Sequence, residues 1–168
     1  EYRLVGYENR VLKREDFNND KIDAGDIGAG HSVTALYEIT LVSSPGARIE
    51  PLRYGETSVA RGRRDEIAHL RLRYKLPGSD KSLLIEQPLH TADITTTAKT
   101  SPDFRFAAAV AAFGQHLRGG KYLEQFGIDD ILALARDARG KDAFGYRGEF
   151  LTLVNLAKSL GPGRTAAN

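Results

Sequence analysis

The sequence predicts an α+β fold, an N-terminal antiparallel β-sheet or sandwich followed by a C-terminal three-helix segment. Two observations carry this. From "YRLVGY" through "LLIEQPLH" apolar and polar residues alternate, the period of strands with one face on a core. After Thr91 the period lengthens to that of amphipathic helices, and strands that precede helices instead of alternating with them belong to the α+β class. The expected organisation is one structural unit with a sheet part over residues 1–92, a linker over 93–102, a helical part over 103–161 and a disordered tail over 162–168.

The first strand is expected in "YRLVGYENRVL", weakened by Gly6. In "HSVTALYEITLV" Val33, Ala35, Tyr37, Ile39 and Leu41 share a face and Ser32, Thr34, Glu38 and Thr40 take the other, which predicts a strand with the first set inward. Ser43 to Arg64 is long and rich in turn residues and arginine, so it reads as a surface excursion. "EIAHLRLRYKL" follows as a strand that would bury Ala68, Leu70, Leu72, Tyr74 and Leu76 and leave His69, Arg71, Arg73 and Lys75 as an exposed row. "SLLIEQPL" completes the set, with Pro88 placing it at a sheet edge because proline cannot donate to the ladder.

The helices begin at Ser101, a predicted N-cap, with Pro102 in the first helical position. In "DFRFAAAVAAFGQHLR" the expected stripe is Phe106, Val110, Phe113 and Leu117, and the helix reads as the buried central one, ended by Gly119 and Gly120. "IDDILALARDARG" turns Ile128, Ile131, Leu132 and Ala135 inward and ends near Gly140. "YRGEFLTLVNLAKSL" carries Tyr146, Phe150, Val154, Ala157 and Leu160 on its expected inner face and stops at "GPG".

A chain of 168 residues can bury a real core without covalent staples. It has no cysteine, which removes disulfides, thiol nucleophiles and thiolate metal sites and leaves the compartment open. The absence of methionine and the start at Glu1 predict a piece of a longer chain. No apolar run approaches the roughly 20 residues that span a bilayer. Twenty-four basic against twenty-two acidic side chains leave a net charge of +2, too slight for a general nucleic-acid binder.

The nearest thing to a chemical motif is "DFNNDKIDAGDIGAGH". Asp16, Asn18 and Asp20 match the first three ligand positions of a calcium loop, and Asp26 would fall at the last after a one-residue deletion. Lys21 stands where the sharp turn needs glycine, and a strand follows instead of a helix. The favoured reading is a turn whose Asp and Asn side chains bond nearby amides, with a calcium-binding structural module as the alternative. "GAGHSV" lacks the third glycine of a dinucleotide fingerprint and opens a strand. "DITTT" has the spacing of a metal-ion-dependent adhesion site but sits in a linker, where capping is its plain role. The four histidines lack ligand spacing, and no nucleophile pattern is present, so no catalytic residue and no cofactor is expected. Arg61, Arg63, Arg64, Arg71 and Arg73 form a basic set that suits docking of a protein partner better than nucleic acid.

"GYENR", "DAGDIGAGH" followed by "VTALYEI", "LRLRYKLP", "FRFAAAVAAFGQHLR" and "FGYRGEF" together resemble the C-terminal domain of bacterial proteins that carry a von Willebrand factor type A domain. The likeness runs in order over nearly the whole chain. It implies an exported, often lipid-anchored parent in the periplasm or at the cell surface, with the type A domain preceding this segment. It places the divalent metal in that domain, outside this chain, and transfers no catalytic residue.

Overall fold

The computed structural model describes residues 1–6, 12–22, 25–41, 44, 48 and 65–161. Two compact units divide the chain, Glu1–Thr95 and Thr96–Asn168. The first holds two antiparallel two-stranded sheets and the second three helices, so the α+β class stands. No helix among the described residues is long and apolar enough to cross a membrane.

In the first unit β1 (Tyr2–Val5) pairs with β2 (Leu36–Ile39), Tyr2 opposite Ile39 and Val5 opposite Leu36. Gly6 ends β1 with a positive φ of 80°, a conformation that costs glycine little. The second sheet pairs β3 (Glu66–Tyr74) with β4 (Leu83–His90), from Tyr74 opposite Leu83 to Glu66 opposite His90, with an irregularity between Glu66 and Ala68. Pro88 is tolerated because a strand of a two-stranded sheet is always an edge. The base of this hairpin is closed by Asp65, whose carbonyl accepts from the Thr91 amide at 2.8 Å and whose carboxylate lies 3.0 Å from His90 Nδ1. Asp93 of "DITTT" caps the next turn, accepting from the His90 amide at 2.8 Å.

The inward faces expected of these strands lie outward. Leu70, Leu72 and Tyr74 on β3 and Leu83 and Ile85 on β4 are 40 to 53% exposed, and Tyr2, Tyr37 and Ile39 on the first sheet are also open. The strand centred on Tyr37 is four residues long, shorter than the alternation suggested. Its more covered face is the polar one, where Glu38 is gripped by Arg3 across the pair and by Arg48 at 2.9 Å. Period two identifies which residues share a face and says nothing of which face finds a covering layer.

Every fully buried hydrophobic among the described residues lies in the helical unit. It comprises α1 (Pro102–Leu117), α2 (Ile128–Asp137) and α3 (Tyr146–Leu160). Ser101 caps α1 as expected, its hydroxyl accepting from the Phe104 amide at 3.1 Å, with Pro102 next. Gly119 and Gly120 end it with φ of 96° and 67°. The central helix is α2, not α1: Ile131, Leu132 and Ala135 are buried on it, with Val154 of α3 against them and Ala112, Phe113, Leu123, Ile128, Phe150 and Leu151 around. The buried stripe of α1 is rotated from Val110 and Leu117, both exposed, towards Ala109 and Ala112. Alanine lets two helix backbones approach, and Ala112 packs against the Ile131, Leu132 and Val154 cluster. Phe150 stands edge-on to Phe106 at 5.3 Å and to Phe113 at 5.6 Å. Tyr146 and Leu160, expected inward on α3, are exposed.

Candidate functional site

The acidic segment meets the hairpin on its basic face. Arg14–Asn18 form a 3-10 turn, with the Asn19 amide donating to the Asp16 carbonyl at 3.0 Å. This turn sets the Phe17 ring against the hairpin arginines, 4.9 Å from the Arg71 guanidinium and 5.9 Å from that of Arg73. Arg73 then donates to the Phe17 carbonyl and to Asp20 Oδ1, each at 2.6 Å, and to Ser82 Oγ at 2.9 Å. Lys75 donates to the Asp20 carbonyl. Arg71 turns to Glu86 on the facing strand at 3.2 Å. The row read as exposed is therefore partly covered, with the Arg73 side chain only 19% exposed.

Two residues singled out for different chemistry are thus brought together. Asp20, a calcium candidate, takes its positive charge from Arg73, a docking candidate. Hydrogen bonding from the Ser82 hydroxyl, then from its amide, holds the Asp20 carboxyl below the usual carboxylate range against the opposing effect of desolvation, and Arg73 and Lys75 add to it. Asp16 and Asn18 lie on the 3-10 turn, and Asp26 is exposed after Gly25. No three His, Asp or Glu side chains among the described residues are grouped to hold a metal. Arg61, Arg63 and Arg64, and the tail at 162–168, lie outside the described residues.

A working calcium loop bound only in the folded state would raise stability by roughly 2.7 kcal/mol at a hundredfold excess over the dissociation constant. We expect the melting temperature to be the same in chelator and in millimolar calcium, lower in Asp20→Ala, and least changed in Asp16→Ala. A calcium-induced rise abolished by either substitution would establish the loop as a metal site. The sign with pH follows from the lowered carboxyl. The advantage of wild type over Asp20→Asn is present above the ordinary value of 3.8 and is lost as pH falls through the folded value.

The sequence alone assigns no role to the turn before α3, where Asp142 and Arg147 gather several bonds. Gly145 takes the N-cap position in the left-handed conformation and has no side chain to cap with. Asp142 does that work from outside the helix, accepting from the Arg147 amide at 2.9 Å and the Gly148 amide at 2.8 Å. Those backbone bonds, the Arg147 one first, hold its carboxyl below the usual range. A Cβ at Gly148 would stand 3.2 Å from both Asp142 Oδ2 and Arg139 Nη2, so the second glycine of "GYRG" makes room for the cap. The Arg147 guanidinium donates to the Ala138 and Arg139 carbonyls at 3.0 and 3.3 Å, satisfying the end of α2. It also pairs with Asp103 and lies 4.8 Å from the Phe106 ring centre. The signal was present in "DAFGYRG", an aspartate three residues before a glycine, but such a spacing does not announce a remote cap.

These glycine and aspartate positions fall inside a match that covers residues 1–160, to the family described as "Uncharacterized protein YfbK, C-terminal". The chain belongs to this family. It is similar to the uncharacterized protein YfbK of Escherichia coli (strain K12), with 46% identity over 159 residues. That likeness covers 94% of this chain and 27% of the relative, so the chain spans about a quarter of the relative's length. No solved structure matches the chain.

Proposed function

We propose that this chain is a non-enzymatic accessory domain that packs on and positions a preceding von Willebrand factor type A domain in a bacterial envelope protein. The open apolar faces of the two sheets carry the reading. An isolated two-stranded sheet is marginal in water, and an apolar sheet face gains stability only from a second layer. Leu70, Leu72, Tyr74, Leu83 and Ile85 form one contiguous patch, the kind of surface that marks an interaction site. Most of the YfbK relative's length lies outside the matched stretch, so the parent has chain to supply that layer. The first strands would complete a sandwich begun before the type A domain. The resemblance supplies the partner's identity, the divalent metal within it, and the periplasmic or surface location of a membrane-anchored parent.

The test is calorimetric titration of the chain with the parent's type A domain. We expect binding in wild type and at least a tenfold weaker complex in Leu72→Glu/Ile85→Glu, with the helical signal unchanged. Equal affinity in the double variant, or no binding in wild type, would overturn the reading.

A further inference from the structure

We propose that α3 is the contact of a homodimer, pairing antiparallel with α3 of a second copy of this chain. The helix is apolar on two sides. Phe150, Leu151 and Val154 pack in the core, while Tyr146, Leu153, Leu156 and Leu160 are 53 to 75% exposed. Tyr146, Leu153 and Leu160 are seven residues apart and Leu156 follows Leu153 by three, the a and d spacing of a helix seam, interrupted only by Glu149. Phe144, 83% exposed, stacks on Tyr146 at 6.1 Å and lengthens the stripe beyond the helix.

Three features select a second copy as the occupant. Leu153 lies midway between Tyr146 and Leu160, so an antiparallel pair centred on it sets Leu153 opposite its own copy and Tyr146 opposite Leu160 at both ends. That is the self-complementarity a two-fold interface requires. At the N-terminal end of α3 lies an open depression of about 410 Å³, lined in part by Lys141, Ala143, Phe144 and Tyr146. The antiparallel arrangement offers it Leu160 of the second copy, and brings that helix's carbonyl end beside the Lys141 ammonium. Finally, five exposed side chains of on the order of 100–150 Å² each give about 600 Å² per copy, near the roughly 800 Å² per partner of a standard interface. A reversible dimer of micromolar strength is the outcome this area supports. None of these residues belongs to the sheet faces, so this inference and the proposed function stand or fall separately.

Sedimentation equilibrium of the 168-residue chain over about 10–300 µM tests it. The average mass should climb towards twice 18.4 kDa in wild type and in Leu72→Glu, and stay at 18.4 kDa in Leu153→Glu and Leu160→Glu with unchanged circular dichroism. The cysteine-free chain permits a second measurement that does not depend on a buried charge. Leu153→Cys should cross-link to itself on mild oxidation, and Asn155→Cys, which points away from the stripe, should not. A wild type that remains monomeric, a dimer that survives both glutamates, or equal cross-linking of the two cysteine variants would overturn the proposal.

Discussion

Replacing Ile131 by alanine will destabilise the helical unit by about 3–4 kcal/mol, the largest effect of any single substitution considered. Ile131 is fully buried on α2, packed in a cluster that includes Phe113, Leu123 and Phe150. Deletion removes both the transfer free energy of the side chain and the dispersion contacts of its lining. Aromatic rings already held edge-on cannot close the space by a small rotation. For a unit of this size the melting transition followed at 222 nm should fall by roughly 15–25 °C, and Ile131→Val by only a few degrees. A loss below about 1 kcal/mol would mean that the cluster repacks and that α2 is not the helix on which the unit is built.

The second large effect is expected at Arg147. Its guanidinium satisfies two carbonyls at the end of α2 and lies over Phe106 on α1, and its backbone stands in the first turn of α3, so one residue ties all three helices. Arg147→Ala leaves those carbonyls without their charged donor and removes the ring contact, a loss of about 2–3 kcal/mol. The partner carboxylate of Asp103 is largely exposed and adds little. Arg147→Lys should recover less than half, because a single ammonium cannot serve the α2 carbonyls and Asp103 from the two ends of a planar fork. Chemical denaturation of the three proteins gives the ranking directly, and equal stability of the lysine and arginine forms would reject the fork geometry.

The helices were legible in the sequence because their signals are local. Ser101 and Pro102 start α1 where the caps require, and the inward set of α2 is read correctly from its period alone. The sheets were legible only by half. Alternation in β3 assigned Leu70, Leu72 and Tyr74 to one side and Arg71 and Arg73 to the other, and both groupings hold. Which side is covered was misread, since Arg73 is shielded by the Phe17 turn while the leucines lie open, and burial depends on what else packs there. The bond from Arg73 to Asp20 spans 53 residues, and no local pattern encodes a contact at that separation. The same holds for the rotation of α1, where the choice between Val110 and Ala109 rests on how closely α2 can approach. Asp142 escaped notice for a third reason. A carboxylate that caps a helix from outside leaves an ordinary glycine at the N-cap, and the usual sequence signature is absent.

The pairing of β1 with β2 has a consequence for how the chain reaches its fold. Val5 meets Leu36, so the first sheet closes only after a loop of about 30 residues is brought round, at an entropy cost of roughly 3 kcal/mol. Four residue pairs return little against that. The helical unit works with connections of ten residues (118–127) and eight residues (138–145) and with neighbours that follow one another along the chain, the condition for rapid folding. Synthesis proceeds from the amino end, so within this stretch β1 emerges before the strand it pairs with. Until Leu36–Ile39 arrives β1 has no strand to pair with, and its four residues wait for a partner encoded about 30 residues further on.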